Sequence, residues 1–205
     1  MKHPSANHRS TCPGAALRRG LSLIEMLVSI AVLGIMAALV LPFFGAQIPS
    51  QLQAVAQIVA ADLDYARNLA VANGTKYRIT LEVSDNRYYL QHVGANTLLN
   101  ALPSSAFGSP TDPANRRTTD LDEIPLAEPR VLILGAEAPA GSGDAVSELE
   151  FTALGGTLSS EETVFWLSCG QGDGRRFISI RVSPVTGISE IGAVQAIIPT
   201  IADES

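Results

Sequence analysis

From Leu21 to Leu41 the chain reads LSLIEMLVSIAVLGIMAALVL, an apolar run whose single ionisable side chain is Glu25. A helix rises about 1.5 Å per residue, so such a run spans about 30 Å, the thickness of a bilayer core. Pro49-Ser50 offers a helix restart, after which Leu52, Val55, Ala56, Val59, Leu63, Ala66 and Ala70 recur at steps of three and four. That spacing predicts an amphipathic helix with one apolar face. Gln51, Gln53, Gln57, Asp62, Asp64, Arg67 and Asn68 fall between these positions and are expected to form its solvated side. Asn73-Gly74 supplies a left-handed cap where the pattern stops.

The period then changes to two. Lys76 to Val83 alternates, placing Tyr77, Ile79, Leu81 and Val83 on one face of a half-buried strand. Ser84-Asp85-Asn86 is turn chemistry, and Arg87 to Val93 returns as the second arm of a hairpin. Residues 94–128 are rich in Pro, Ser, Asn and Asp without periodicity, which predicts a long variable loop and, because exposed loops carry recognition, a surface for partner contact. Further strands are expected at Val131 to Leu134, Glu148 to Thr152, Thr163 to Ser168, Arg176 to Val182 and Ile188 to Val194, the last two joined by a turn at Pro184 to Gly187. The fold class is α+β: one long N-terminal helix, apolar then amphipathic, whose outer half packs on an antiparallel β-sheet domain.

Composition sharpens this division. A chain of 205 residues holds one domain with a proper core plus an appended element. The apolar fraction is 46% and the mean hydropathy +0.22, with much of the excess in the N-terminal run. Residues 1–20 contain Lys2, Arg9, Arg18 and Arg19 and no acid; the remainder has ten basic against 20 acidic side chains, a balance of -10. Such an acidic domain repels phosphate backbones and argues against general nucleic-acid binding, although the local pairs Arg116-Arg117 and Arg175-Arg176 remain. Arg18 and Arg19 stand directly before the apolar run, so the positive-inside rule leaves the N-terminus in the cytoplasm and sends the rest outward.

A cleaved secretory signal, a simple membrane anchor and a buried core helix all leave Glu25 without a role, although a charge at membrane depth costs about 2.5 to 3.5 kcal/mol at a helix centre and calls for a partner. A secretory signal also needs a small-residue cut, for which Phe43-Phe44-Gly45-Ala46 is a poor candidate. The junction Arg18-Arg19-Gly20-Leu21-Ser22-Leu23-Ile24-Glu25-Met26-Leu27 resembles the class III signal of type IV prepilins and pseudopilins. The resemblance implies that a membrane aspartyl peptidase cuts after Gly20 and methylates the new N-terminus at Leu21, where the family usually has Phe. A fresh α-amino group is cationic near neutral pH, and Glu25 lies about 6 Å from it along the helix. In the resembled filaments this glutamate pairs with the N-terminus of a neighbouring subunit and sets the stagger. Gly34 and Pro42 also fall where pilin helices often carry glycine and proline; Pro42 removes a helix hydrogen bond and is expected to break or kink the helix there.

Downstream, Ala66-Arg67-Asn68-Leu69-Ala70, Phe151-Thr152-Ala153-Leu154-Gly155-Gly156 and Pro184-Val185-Thr186-Gly187 resemble segments of the pseudopilin H group, also known as the GspH/FimT type. The resemblance implies a pilin-like ladle: a leader at 1–20, a transmembrane helix at 21–41, the periplasmic half of the long helix at 42–74, and a β-rich globular domain at 75–205 carrying the loop 94–128. It implies a non-enzymatic minor pseudopilin, a structural subunit of a type II secretion pseudopilus supporting export across the outer membrane. Its partners would be other major and minor pseudopilins, the prepilin peptidase and the inner-membrane assembly platform. Its place would be the bacterial inner membrane, with the C-terminal domain in the periplasm. The alternatives are a FimT-like minor type IV pilin serving pilus assembly or DNA uptake, and a membrane-tethered periplasmic enzyme. For the last, the outer domain offers His92 and Cys169, a Cys-His pair without supporting flanks and short of a zinc set. No cofactor or metal is expected. Gly170 to Gly174 reads as a hairpin turn, since no Lys-Ser/Thr follows it, and Asp120, Asp122 and Glu123 read as solvated acids without EF-hand spacing.

Overall fold

The structure, a computed structural model, describes residues 22–40, 47–126, 128–138 and 145–197, with side chains described to Met36 in the first helix. The chain divides into two compact units, 1–44 and 45–205. The first holds helix α1, Leu23–Val40, whose opening turn is set by Ser22: its carbonyl accepts from the N–H groups of Glu25 and Met26. Among the described residues no helix is long and apolar enough to cross a membrane; the predicted span Leu21–Leu41 begins and ends outside them.

In the second unit α2 runs Gln47–Asn73, two residues longer at its start than the Pro49-Ser50 signal suggested. Pro49 sits in the first turn, where a missing N–H has no helical partner to lose. The expected stripe is the buried one: Leu52, Val55, Ala56, Val59, Leu63, Ala66 and Ala70. Gly74, at φ +58°, ends the helix as the left-handed cap, and the Thr75 N–H closes it onto Ala70 O.

Among the described residues nine strands follow: β1 Tyr77–Glu82, β2 Arg87–His92, β3 Arg117–Asp120, β4 Val131–Glu137, β5 Ala145–Val146, β6 Glu148–Phe151, β7 Thr163–Cys169, β8 Arg176–Val182 and β9 Ser189–Ile191. They form two antiparallel sheets, ordered β3-β2-β1-β6 and β5-β4-β7-β8-β9. A single residue, Ser147, carries the chain from one sheet into the other, its carbonyl accepting from Leu81 N at 2.8 Å. The sheets are also clipped at the β1–β2 turn. Asn86, buried and at φ +50°, donates to Val131 O at 3.0 Å and accepts from Ile133 N at 2.9 Å, both on β4. Helix α2 packs on both sheets, and Leu52, Val55, Leu63, Tyr77, Ile79, Phe151, Leu167, Ile178, Ile180 and Val182 make the centre of one shared core.

The turn after β8 and the loop after β6 interlock. Thr157 N donates to Pro184 O at 2.9 Å, and Arg67 of α2 donates through Nε to Thr186 O at 2.6 Å. Gly187, at φ +64°, sits so close that a Cβ there would lie 2.1 Å from Gly155 O. No side chain fits at that position without moving backbone.

Three expectations are corrected. The region 94–128 is not a continuous loop, since it contains β3, a helical turn at Thr97–Asn100 and another at Leu121–Glu123. Arg117-Thr118-Thr119-Asp120 lacks apolar alternation, and its strand character comes from pairing with β2, which buries Thr118 and Thr119. Val83 leaves the half-buried face because β1 ends at Glu82 and a helical turn rotates it into solvent. The strand expected at Ile188 to Val194 shrinks to β9, with a further bridge between Gln195 and Phe177.

Candidate functional site

Glu25 stands in the first turn of α1, where the helix dipole favours an anion. Its backbone carbonyl accepts from Ser29 Oγ at 2.7 Å, while its carboxylate is exposed and has no hydrogen bond or ion pair among the described residues. Around it Leu23, Ile24, Met26, Leu27, Val28 and Ile30 are all exposed, so the helix is an apolar rod carrying one unpaired charge. Removing such a rod from water is costly until the carboxylate meets a cation. Gly20, Leu21 and Pro42 lie outside the described residues.

The polar side of α2 is not simply solvated. Asp62 accepts from Tyr88 Oη at 2.8 Å and Thr119 Oγ1 at 2.9 Å through one oxygen, and from Arg117 Nη2 at 3.3 Å through the other. Arg117 also donates to Ser104 O at 2.9 Å and lies over the Tyr65 ring, 5.2 Å from its centroid. This network ties α2 to β2, to β3 and to the segment before β3. Burial, with the Asp62 charge second, holds the Tyr88 hydroxyl well above its ordinary pKa, so it stays a donor. Asp64 accepts from Ser189 Oγ at 3.1 Å, and Gln51 is buried. The signal for Asp62 was present in the sequence: it follows Val55 by seven residues and so falls within the apolar stripe.

The Cys-His pair is not assembled. His92 uses one ring nitrogen on Thr75 Oγ1 at 3.1 Å and the other on Asn100 Oδ1 at 2.8 Å, in the first sheet. Cys169 ends β7 of the second sheet, where its thiol donates to Pro129 O at 3.0 Å; burial pushes its pKa up and keeps it a neutral thiol. Gly170 to Gly174 joins β7 to β8, as a hairpin turn should. Asp120 caps the turn Leu121–Glu123 through Asp122 N, and Asp122 accepts from Asn86 and faces Arg130 at 3.6 Å. Among the described residues no His, Cys, Asp and Glu grouping could hold a metal ion.

Residues 16–41 match the family described as the prokaryotic N-terminal methylation motif. The matched segment covers the junction on which the resemblance to prepilins rests. No curated protein matches the chain. Among solved structures, the type IV minor pilin FimU of Pseudomonas aeruginosa strain PAO1 is 22% identical, with 72% of this chain and 90% of that one covered and a TM-score of 0.44. The minor pseudopilin EpsH from the Type 2 Secretion System of Vibrio cholerae is 11% identical, with 70% and 96% covered and a TM-score of 0.48.

Proposed function

We propose that the chain, type IV pilin-like at its N-terminus, is a structural minor pseudopilin of a type II secretion pseudopilus. In this reading 1–20 is a leader removed after Gly20, Leu21 becomes the methylated N-terminus, and 21–41 anchors the chain in the bacterial inner membrane. The helix then breaks near Pro42, residues 42–74 continue it into the periplasm, and 75–205 is the periplasmic β-rich domain. Its role is assembly rather than catalysis. The α1 rod packs among the helices of other pseudopilins, and Glu25 supplies the carboxylate that a neighbour's N-terminal amine requires once both leave water. The methylation motif at residues 16–41, with Glu25 inside it, carries this reading.

The test is the mature N-terminus, read by mass spectrometry of membrane-extracted protein made beside a prepilin peptidase. The expected product begins at methylated Leu21, and Gly20→Val abolishes it. Glu25→Val should leave cleavage intact and lose co-purification with major pseudopilins. Cleavage near Ala46, or an uncut chain with Gly20 intact, overturns the proposal.

A further inference from the structure

Adjacent arginines in the 94–128 region have opposite surroundings. Arg117 is spent on Asp62, Ser104 O and the Tyr65 ring. Arg116 is half-buried, its guanidinium lies 4.2 Å from the centroid of the Tyr89 ring, and its side chain makes no hydrogen bond or ion pair among the described residues. The ring contact holds the guanidinium in place without using its N–H groups.

Arg116 lines a built cleft and, with Tyr89, Glu82 and Asp112, a smaller neighbouring pocket of about 80 Å³. The chain between Leu102 and Arg116 folds back along β3: Asp120 N donates to Phe107 O at 2.9 Å, Leu102 N to Ala114 O at 3.1 Å, and Ser105 Oγ meets Thr119 Oγ1 at 2.9 Å. Leu102 and Phe107 pack against the core. Gly108 lets the fold close, since a Cβ there would lie 2.7 Å from Thr118 O. Between this segment and the sheet lies a cavity of about 310 Å³, lined by Leu102, Ser104, Ser105, Ser109, Asp112 and Arg116 among others. A smaller adjoining pocket, about 150 Å³, is lined by Asp112, Asp120 and Glu123 with Arg87. Arg87 is already paired with Glu82 and, at 3.0 Å, with Asp85.

We infer that this cleft binds a carboxylate-bearing peptide segment of a partner protein, with Arg116 as the carboxylate receptor. A planar guanidinium matches a carboxylate through two parallel hydrogen bonds. The neighbouring Asp112, Asp120 and Glu123 repel a polyanion, so the site suits one or two carboxylates flanked by neutral chain rather than a phosphate backbone. The surface lies outside α1 and does not depend on the filament role.

Fluorescence anisotropy with the full chain in detergent tests it, using four labelled probes: an end-capped Gly-Ser-Asp-Glu-Gly-Ser peptide, its Asn-Gln counterpart, an uncapped Gly-Ser-Gly-Ser peptide and a 20-base DNA oligonucleotide. The acidic or the uncapped peptide should bind and the Asn-Gln peptide should not; the first assigns an internal acid, the second a chain terminus. Arg116→Gln and Arg116→Ala should weaken that binding about tenfold or more, and Arg116→Lys by about threefold. Arg181→Ala, exposed on β8, should change nothing. Equal binding of the Asn-Gln peptide, preference for DNA, indifference to both Arg116 variants, or no binding at millimolar peptide would overturn the assignment.

Discussion

Helix α2 meets the second sheet mainly through hydrocarbon, with β7 buried along its whole length, Ile178, Ile180 and Val182 of β8 closing the core and the Ser189–Asp64 bond at the edge, whereas it meets the far edge of the first sheet through a carboxylate holding three donors. Apolar contact is non-directional and fixes how tightly the layers sit. Hydrogen bonds are directional. The Asp62 network therefore sets where β3 and the segment before it lie, a task that burial alone would leave loose. One face supplies cohesion and the other supplies position.

The largest effect should come from the apolar face. Ile180→Ala, at a site with no exposure, should cost about 4 kcal/mol and lower the midpoint of a single cooperative denaturant transition. Asp62→Ala should cost about 3 kcal/mol, because Arg117, Tyr88 and Thr119 lose their acceptor within a mostly buried cluster. Hydrogen exchange separates the two: Asp62→Ala should release amides at 102–120 and spare β7 and β8. Uniform loss of protection in both variants would erase the distinction. Tyr88→Phe should cost only about 1 kcal/mol, as Asp62 keeps its other donors. It should also flatten an alkaline slope. The raised Tyr88 pKa contributes fully below about pH 10, and its contribution falls as pH rises from there toward the folded value, because the unfolded chain ionises first. Tyr77, shifted the same way mainly by burial, leaves part of the slope in place.

What was legible in the sequence was what repeats. The stripe from Leu52 to Ala70 and the alternations in β1, β2 and β8 run long enough to declare a period. β3 is four residues long and polar, and nothing local marks it as strand; its pairing with β2 does. Asp62 fell on the apolar stripe but was assigned to solvent by residue type, because donors 26 to 57 positions away cannot be read from its neighbours. Asn86 was legible as a turn residue, and its grip on β4 was not, since that bond spans 47 positions. Glu25 was the reverse case, since its oddity lies wholly in its surroundings along the chain.

The interlocked turns at 152–157 and 184–187 make their sequences a single mutational variable. Because the missing Cβ of Gly187 is what leaves room for Gly155 O, a side chain at 187 forces the loop after β6 to move, and any change that moves that loop alters what 187 tolerates. Substitutions in the two turns should then be non-additive, and drift in one should be admissible only alongside compensating drift in the other, as with two halves of a hinge pin that can be replaced only as a set.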